Sequence, residues 1–303
     1  MASHPAVIIN ASSGADDKEQ VRATLAEMFG AGERGPAEVW LARSGEEVLD
    51  LARRAVREDC QPIVAGGGDG TISAVASLLV GTNRTLGVLP LGTLNHFAKD
   101  MNIPLDLEEA VRVSLEGQAV HVDVGEVNGR IFLNNSSLGL YPSIVREREK
   151  LQERLGHGKW PAFIWASLTV LRRFPFLSVR LSTEEQELFR RTPFVFIGNN
   201  EYQMEGLNLG ARSCIDKGQL SLYVAHRTGR LGLLRFAFRA LFGGLLDEKD
   251  FDSLCTEEVW IETRRSRLRV ATDGEVAIMN TPLHYRVLPG ALRVLVPKEA
   301  SEA

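Results

Sequence analysis

The chain has 303 residues, 44% hydrophobic and 24% charged, with a formal net charge of −4. These are the proportions of a soluble globular protein of two domains, able to bury roughly three quarters of its extended surface without disulfide staples. The slightly acidic balance excludes bulk attraction to nucleic acid or anionic lipid, so no nucleic-acid partner is expected and any lipid contact must be local.

The opening Met1-Ala2-Ser3-His4-Pro5 has no basic region, and the apolar run after it, residues 6–9, is too short for a signal-peptide core. From residue 6 to about 116, strand-type and helix-type runs alternate, the sequence form of a parallel sheet covered by helices. The pattern predicts strands at 6–9, 38–41, 62–65 and 86–89, and helices at 17–29, 45–57, 72–79 and 107–116. Near Val120 the texture becomes β-rich, with strands at 121–124 and 130–133 around Asn128-Gly129, a pair favoured in hairpin turns. Further strands are expected at 177–182, 193–197, 220–225, 258–262, 268–271 and 291–296, and helices at 143–155, 162–173 and 231–242. The reading is an α/β domain over 1–120 followed by a β-rich, β-sandwich-like domain over 121–303.

Cys60, Cys214 and Cys255 are far apart with no C-x-x-C spacing, which suggests neither a disulfide framework nor a zinc site and fits a reducing cytoplasm. Uncharged stretches such as 160–171 fall well short of the roughly 18–20 residues that span a bilayer, so no membrane crossing is expected.

Gly66-Gly67-Gly68-Asp69-Gly70-Thr71 stands between a strand-type and a helix-type run and reads as a phosphate-handling turn. Glycines let the backbone approach a polyphosphate because no Cβ blocks the way and positive φ costs nothing. The helix that follows aims free N–H groups and the positive end of its dipole at the same point. A Walker loop is excluded because no lysine follows the glycines, and the dinucleotide fingerprint G-x-G-x-x-G fails at Ile72. The alternative is a tight turn without a ligand; Asp69 argues against it, since a bare turn needs no carboxylate among its glycines.

Three loops follow strand ends in this half, at the edge where open parallel sheets bind ligands. They are Asn10-Ala11-Ser12-Ser13-Gly14, the glycine turn, and Pro90-Leu91-Gly92-Thr93-Leu94-Asn95. They are expected to converge and to offer N–H and short polar groups to phosphate, ribose or base. Far downstream, Ala271-Thr272-Asp273-Gly274-Glu275 sets two carboxylates one glycine apart. Adjacent acids suit base work or metal binding, because like charges raise one pKa and a hydroxyl acceptor needs a positioned base. A hairpin turn with solvated acids is the alternative.

Gly67-Gly68-Asp69-Gly70-Thr71, the segment from Pro90 to Asn95 continuing to Phe97-Ala98-Lys99, and Asp273-Gly274-Glu275 with Leu288-Pro289-Gly290 together resemble the bacterial diacylglycerol kinase catalytic-domain family. That family includes soluble lipid kinases and, more distantly, sphingosine and ceramide kinases; the similarity runs over roughly residues 5–297 in motif order. The resemblance implies an NAD-kinase-like α/β domain with ATP at Asn10, Ala11, Ser12, Ser13, Gly14, Gly67, Gly68, Asp69, Gly70, Thr71 and Thr93, and Asn95 nearby, then a domain for the lipid acceptor. It implies Mg²⁺, with Asp69 holding it or the phosphates, and a base that takes the proton from the lipid hydroxyl. Glu275 is favoured as that base, with Asp273 on the metal or orienting Glu275. The expected activity is ATP-dependent transfer of the γ-phosphate to a hydroxyl of a lipid such as diacylglycerol. NAD kinase is the nearest enzyme rival, and a nucleotide- or lipid-binding regulator without turnover is the rival from another class.

Four positions depart from the family pattern. Ala11 stands where a proline is common, Ala42 where a threonine is expected near the nucleotide, and His96 where an aspartate follows Asn95. Ile215-Asp216-Lys217-Gly218 keeps one of two acids tied to a structural Mg²⁺, which leaves Asp216 as the metal candidate beside a repelling Lys217. A kinase acting on membrane lipid must touch the interface, and basic-aromatic stretches at 159–174 and 230–242 are candidates, as is Arg264-Arg265-Ser266-Arg267. The plain readings are helices over the β-layer and a solvated turn. Phe194, Phe196 and Phe236 are generic apolar residues for an acyl pocket. A cytoplasmic protein, peripherally and transiently membrane-associated, is expected; the sequence leaves a homodimer open.

Overall fold

The computed structural model describes residues 4–11, 18–30, 37–139, 176–183, 186–200, 202–205, 208–212, 217–225 and 251–298. The chain divides into two compact units, Met1–Val124 with Pro289–Ala303, and Gly125–Leu288. A single division at 120/121 therefore misplaces residues 289–303, which return to the first unit. The expected helices at 143–155, 162–173 and 231–242 lie outside the described residues.

In the first unit β1 (Ala6–Asn10), α1 (Lys18–Gly30), β2 (Glu38–Ala42), α2 (Gly45–Arg57), β3 (Ile63–Gly67), α3 (Asp69–Ala76), β4 (Thr85–Pro90), α4 (His96–Asp100) and α5 (Leu107–Glu116) lead into β5 (Gln118–Val127). The strands form a parallel sheet in the order β2-β1-β3-β4. The end of the C-terminal strand extends it, Arg293 and Val294 pairing in parallel with Thr85 and Leu86. Every residue of β3 and β4 is buried, as expected for parallel strands covered on both faces. Helix α2 buries Val48, Ala52 and Ala55 along one stripe, and Ser44 caps it by accepting from Glu47 N at 3.2 Å.

Two boundaries differ from the sequence reading where it matters most. Strand β3 runs on through Gly66 and Gly67, and α3 begins at Asp69 rather than at residue 72, so the turn between them is Gly68 alone. Helix α4 went unpredicted because its five residues are too few for a periodic signal.

The second unit contains β6 (Arg130–Phe132), β7 (Asn135–Gly139), β8 (Leu177–Ser182), β9 (Glu187–Thr192), β10 (Phe194–Asn199), β11 (Tyr202–Glu205), β12 (Asn208–Arg212) and β13 (Leu220–Ala225). After them come β14 (Phe251–Thr256), β15 (Glu258–Thr263), β16 (Arg267–Thr272), β17 (Glu275–Asn280) and the first part of β18 (Leu283–Val296). One antiparallel sheet has the order β14-β13-β10-β7-β16-β17, and a second runs β18-β15-β8-β9. Their inner faces share one core, with Leu138, Val195, Ile197 and Val270 from the first and Val179, Leu181, Ile261 and Tyr285 from the second, which makes the unit a β-sandwich. Asn128 and Gly129 both have positive φ, 48° and 83°, as a two-residue hairpin turn requires. Strands β7 and β9 escaped prediction: Asn-Ser-Ser-Leu-Gly is polar and Glu-Leu-Phe-Arg-Arg-Thr is charged, so cross-strand pairing rather than propensity makes them extended.

Buried Leu292, Val294 and Leu295 tie the chain end into the first unit. A chain truncated after Leu288 is expected to lose the cooperative thermal unfolding of that unit. A truncated protein whose first unit melts as in the full chain would contradict this division.

Candidate functional site

In the first unit the loops after β1, β3 and β4 meet. Asn10 Nδ2 donates to Thr71 Oγ1 at 2.9 Å, which ties the end of β1 to the first turn of α3. Gly92 lies against Gly68 so closely that a Cβ on Gly92 would collide with Gly68 Cα, and it would also reach within 2.8 Å of Asn95 Oδ1. A Cβ on Gly67 would stand 2.6 Å from Thr71 Oγ1. None of Gly66, Gly67, Gly68 and Gly70 has a positive φ. Left-handed backbone freedom is therefore not the reason for the glycines; close approach is.

Asp69 is the first residue of α3, and its Oδ1 accepts from Phe97 N at 3.0 Å. Asn95, the N-cap of α4, has left-handed backbone (φ 50°) and makes no side-chain cap bond. Its side chain is turned into its own loop, with Oδ1 accepting from Gly92 N at 3.0 Å and Nδ2 donating to Pro90 O at 3.1 Å and Gly92 O at 3.0 Å. Asp69 thus caps α4 from the neighbouring loop. A carboxylate among these glycines thus does have a structural use, contrary to the expectation that a bare turn needs none, and the Asn95 side chain shapes its own loop.

Gly68 at the N-cap of α3 offers no side-chain acceptor, and Thr71 N already donates to Gly68 O at 2.9 Å, so the N–H groups of Asp69 and Gly70 are the ones open to an anion. Thr93 is exposed on the loop after β4, and His96 is exposed at the start of α4. Ala11 N donates to Ala42 O at 2.7 Å, so the backbone at both departing positions closes β1 onto β2. Ser12, Ser13 and Gly14 lie outside the described residues, as does Asp216; Lys217 N donates to Asn200 Oδ1 at 3.2 Å.

In the second unit Asp273 and Gly274 form the turn between β16 and β17, with φ of 47° and 86°. Asp273 Oδ2 accepts from Leu133 N at 2.7 Å, and Oδ1 accepts from Asn134 N at 2.8 Å and Asn135 N at 3.1 Å. Its own N–H returns the bond to Asn135 O at 2.9 Å. Glu275 points elsewhere. It is exposed and pairs with Arg130 Nη2 at 2.6 Å, while Arg130 Nε donates to Thr272 Oγ1 at 2.9 Å. The two acids are therefore engaged differently: Asp273 is an anchor in a nest of backbone donors, and Glu275 is exposed in an ion pair.

Sequence reasoning missed Arg130 and the donors at 133–135, because they meet the acids from about 140 residues away and carry no local pattern. It also took Asp123 for an ordinary strand residue. Asp123 is buried in β5, and its Oδ1 accepts from Gly290 N at 2.8 Å. Tyr285 and Ser136 form a buried hydroxyl pair at 3.0 Å, but burial pushes the tyrosine pKa well above its usual value, which removes it as an acid or base near neutral pH.

Among the described residues no group of three or more His, Cys, Asp or Glu gathers to hold a metal. Mg²⁺ bound with a nucleotide needs only one or two carboxylates beside phosphate oxygens and water, and Asp69 suits that donor set with the oxygen that does not cap α4.

The profile of the diacylglycerol kinase catalytic domain matches residues 4–127, and that of the YegS C-terminal NAD kinase beta sandwich-like domain matches residues 146–296. A protein of Yersinia enterocolitica named "Probable lipid kinase YegS-like" is 32% identical over 259 residues, covering 81% of this chain and 83% of its own. The chain belongs to the YegS-like lipid kinase family. It is a phosphotransferase with an alcohol acceptor. "Probable lipid kinase YegS" of Salmonella gallinarum is 28% identical over 311 residues, 99% of this chain and 98% of that one. A diacylglycerol kinase of Bacillus anthracis str. Sterne shares the fold over 97% of both chains, with a TM-score of 0.70 at 20% identity.

Gly92→Ala is expected to cost about 2 kcal/mol in urea unfolding, because the two loop backbones must part; an unchanged midpoint would show that the loops are not in contact. Asp273→Ala should cost about 3 kcal/mol by leaving three donors unpaired, and Asp273→Asn distinctly less. Equal loss in the two variants would mean that acceptor capacity is not what Asp273 supplies.

Proposed function

We propose that this lipid kinase transfers the γ-phosphate of ATP, as its Mg²⁺ complex, to a primary hydroxyl of a lipid such as diacylglycerol. The observation that carries the reading is the meeting of Gly68, Gly92 and Asp69 at the open N-terminus of α3, a main-chain cradle with one carboxylate and no lysine clamp. Bound there, Mg²⁺ would neutralise charge on the phosphate oxygens, and Asp69 is the residue that would hold it.

The chain's own part is positioning. The first N–H groups of α3 would meet the phosphates, and Gly67 makes room for Thr71 beneath them. Thr71, held by Asn10, keeps the first turn in place. Thr93 lies on the loop that Asn95 shapes. Glu275 takes the proton from the acceptor hydroxyl, and Arg130 orients it. Asp273 fixes the hairpin on which Glu275 stands. The relatives named as lipid kinases support the lipid acceptor, and the diacylglycerol kinase profile supports diacylglycerol as its type.

Incubation with ATP, Mg²⁺ and diacylglycerol, followed by mass spectrometry of the lipid extract, is expected to yield phosphatidic acid, while NAD in place of the lipid yields no NADP. Glu275→Gln should lower the rate about 10²- to 10⁴-fold with nucleotide affinity retained. Phosphorylation of NAD alone would overturn the proposal, and full activity of Glu275→Gln would overturn the base assignment.

A further inference from the structure

We infer that the outer face of the sheet strip β15-β8-β9 is a docking surface for an anionic phospholipid bilayer. The inference rests on the reading above that the acceptor is a membrane lipid. A groove of about 500 Å³ lies along this strip, lined by Arg180, Arg190, Arg191 and Arg264 against a single acid, Glu262; of these Arg190 stands opposite the core residue Val179 and so turns to the other face. The pairing within it decides where positive charge is in excess. Arg180 lies between Glu187 and Glu262, and Arg190 pairs with Asp252 at 2.7 Å. Among the described residues Arg191 and Arg264 form no ion pair, and neither does the adjacent Arg265. Arg191 instead stacks over the ring of Phe176 at 5.3 Å.

These charges are held on firm supports. Arg264 and Arg265 sit on the turn after β15, where Thr263 Oγ1 accepts from Arg265 N and both Thr263 and Thr281 donate to Arg265 O. Phe189, on the same face by its pairing with Arg180, is 66% exposed, and Trp260 is 42% exposed. Unpaired arginines beside exposed aromatic rings match the two layers of a bilayer surface, phosphates outside and apolar chains just beneath. The chain as a whole carries −4, so this attraction is local. A second copy of the chain fits less well, because β9 is the edge strand and its two arginines oppose strand addition.

The test is co-sedimentation with vesicles of phosphatidylcholine alone or with one quarter phosphatidylglycerol, run beside turnover on a dispersed short-chain diacylglycerol. Wild type should bind the anionic vesicles only. A variant combining Arg191→Gln, Arg264→Gln and Arg265→Gln should bind them about a hundredfold more weakly, roughly fivefold for each arginine, with its melting temperature and dispersed-substrate turnover unchanged. Phe189→Ser should weaken vesicle binding without changing its salt dependence. Equal vesicle binding by wild type and the triple variant would overturn the inference, as would a concentration-dependent dimer that the triple variant abolishes. Arginine-dependent vesicle binding without turnover on any lipid would leave this surface standing and refute the lipid acceptor.

Discussion

The contact between Gly68 and Gly92 is the constraint from which the rest of the first unit's site follows. Two loops after neighbouring parallel strands approach this closely only because Gly92 carries no Cβ: one there would collide with Gly68 Cα. Once they do, Asp69 at the head of α3 reaches Phe97 N and caps α4, and Asn95 is free to close its own loop from within. Asn10 adds the β1 end through Thr71. The outcome is a rigid rim of main-chain donors, which suits a reaction whose demands are alignment and charge neutralisation rather than covalent chemistry.

The second unit solves a different problem with the same means. A two-residue hairpin turn in left-handed backbone would leave Asp273 and Glu275 loosely placed on a sheet corner. Three backbone donors at 133–135 fasten Asp273, and the ion pair with Arg130 holds Glu275 at the surface. An exposed pair of this kind contributes at most about 1 kcal/mol to stability, so its value lies in orientation. The two carboxylates thereby divide into an anchor and an exposed, ion-paired group.

Much of the fold was legible because burial writes itself into sequence. Parallel strands covered on both faces appear as short apolar runs such as Ile63-Val64-Ala65, and Asn128-Gly129 announces its hairpin. The glycine turn and the Pro90 to Asn95 loop could be placed at one sheet edge from strand order alone. What stayed hidden depends on partners distant along the chain. Nothing near Asp69 signals that it caps a helix starting at His96, and nothing near Glu275 points to Arg130, 145 residues earlier. The return of residues 289–303 to the first unit has the same cause, since pairing of Val294 with Leu86 is a property of the sheet and not of either segment.

The central claim is that main-chain donors at the start of α3 and the loop after β4 grip the nucleotide phosphates. Amide hydrogen exchange with and without Mg²⁺ and a non-hydrolysable ATP analogue tests it most directly. Slowed exchange concentrated at Gly67 to Thr71 and at Gly92 to Phe97 is the result this account predicts. Nucleotide binding that leaves those amides unchanged while protecting others would contradict it.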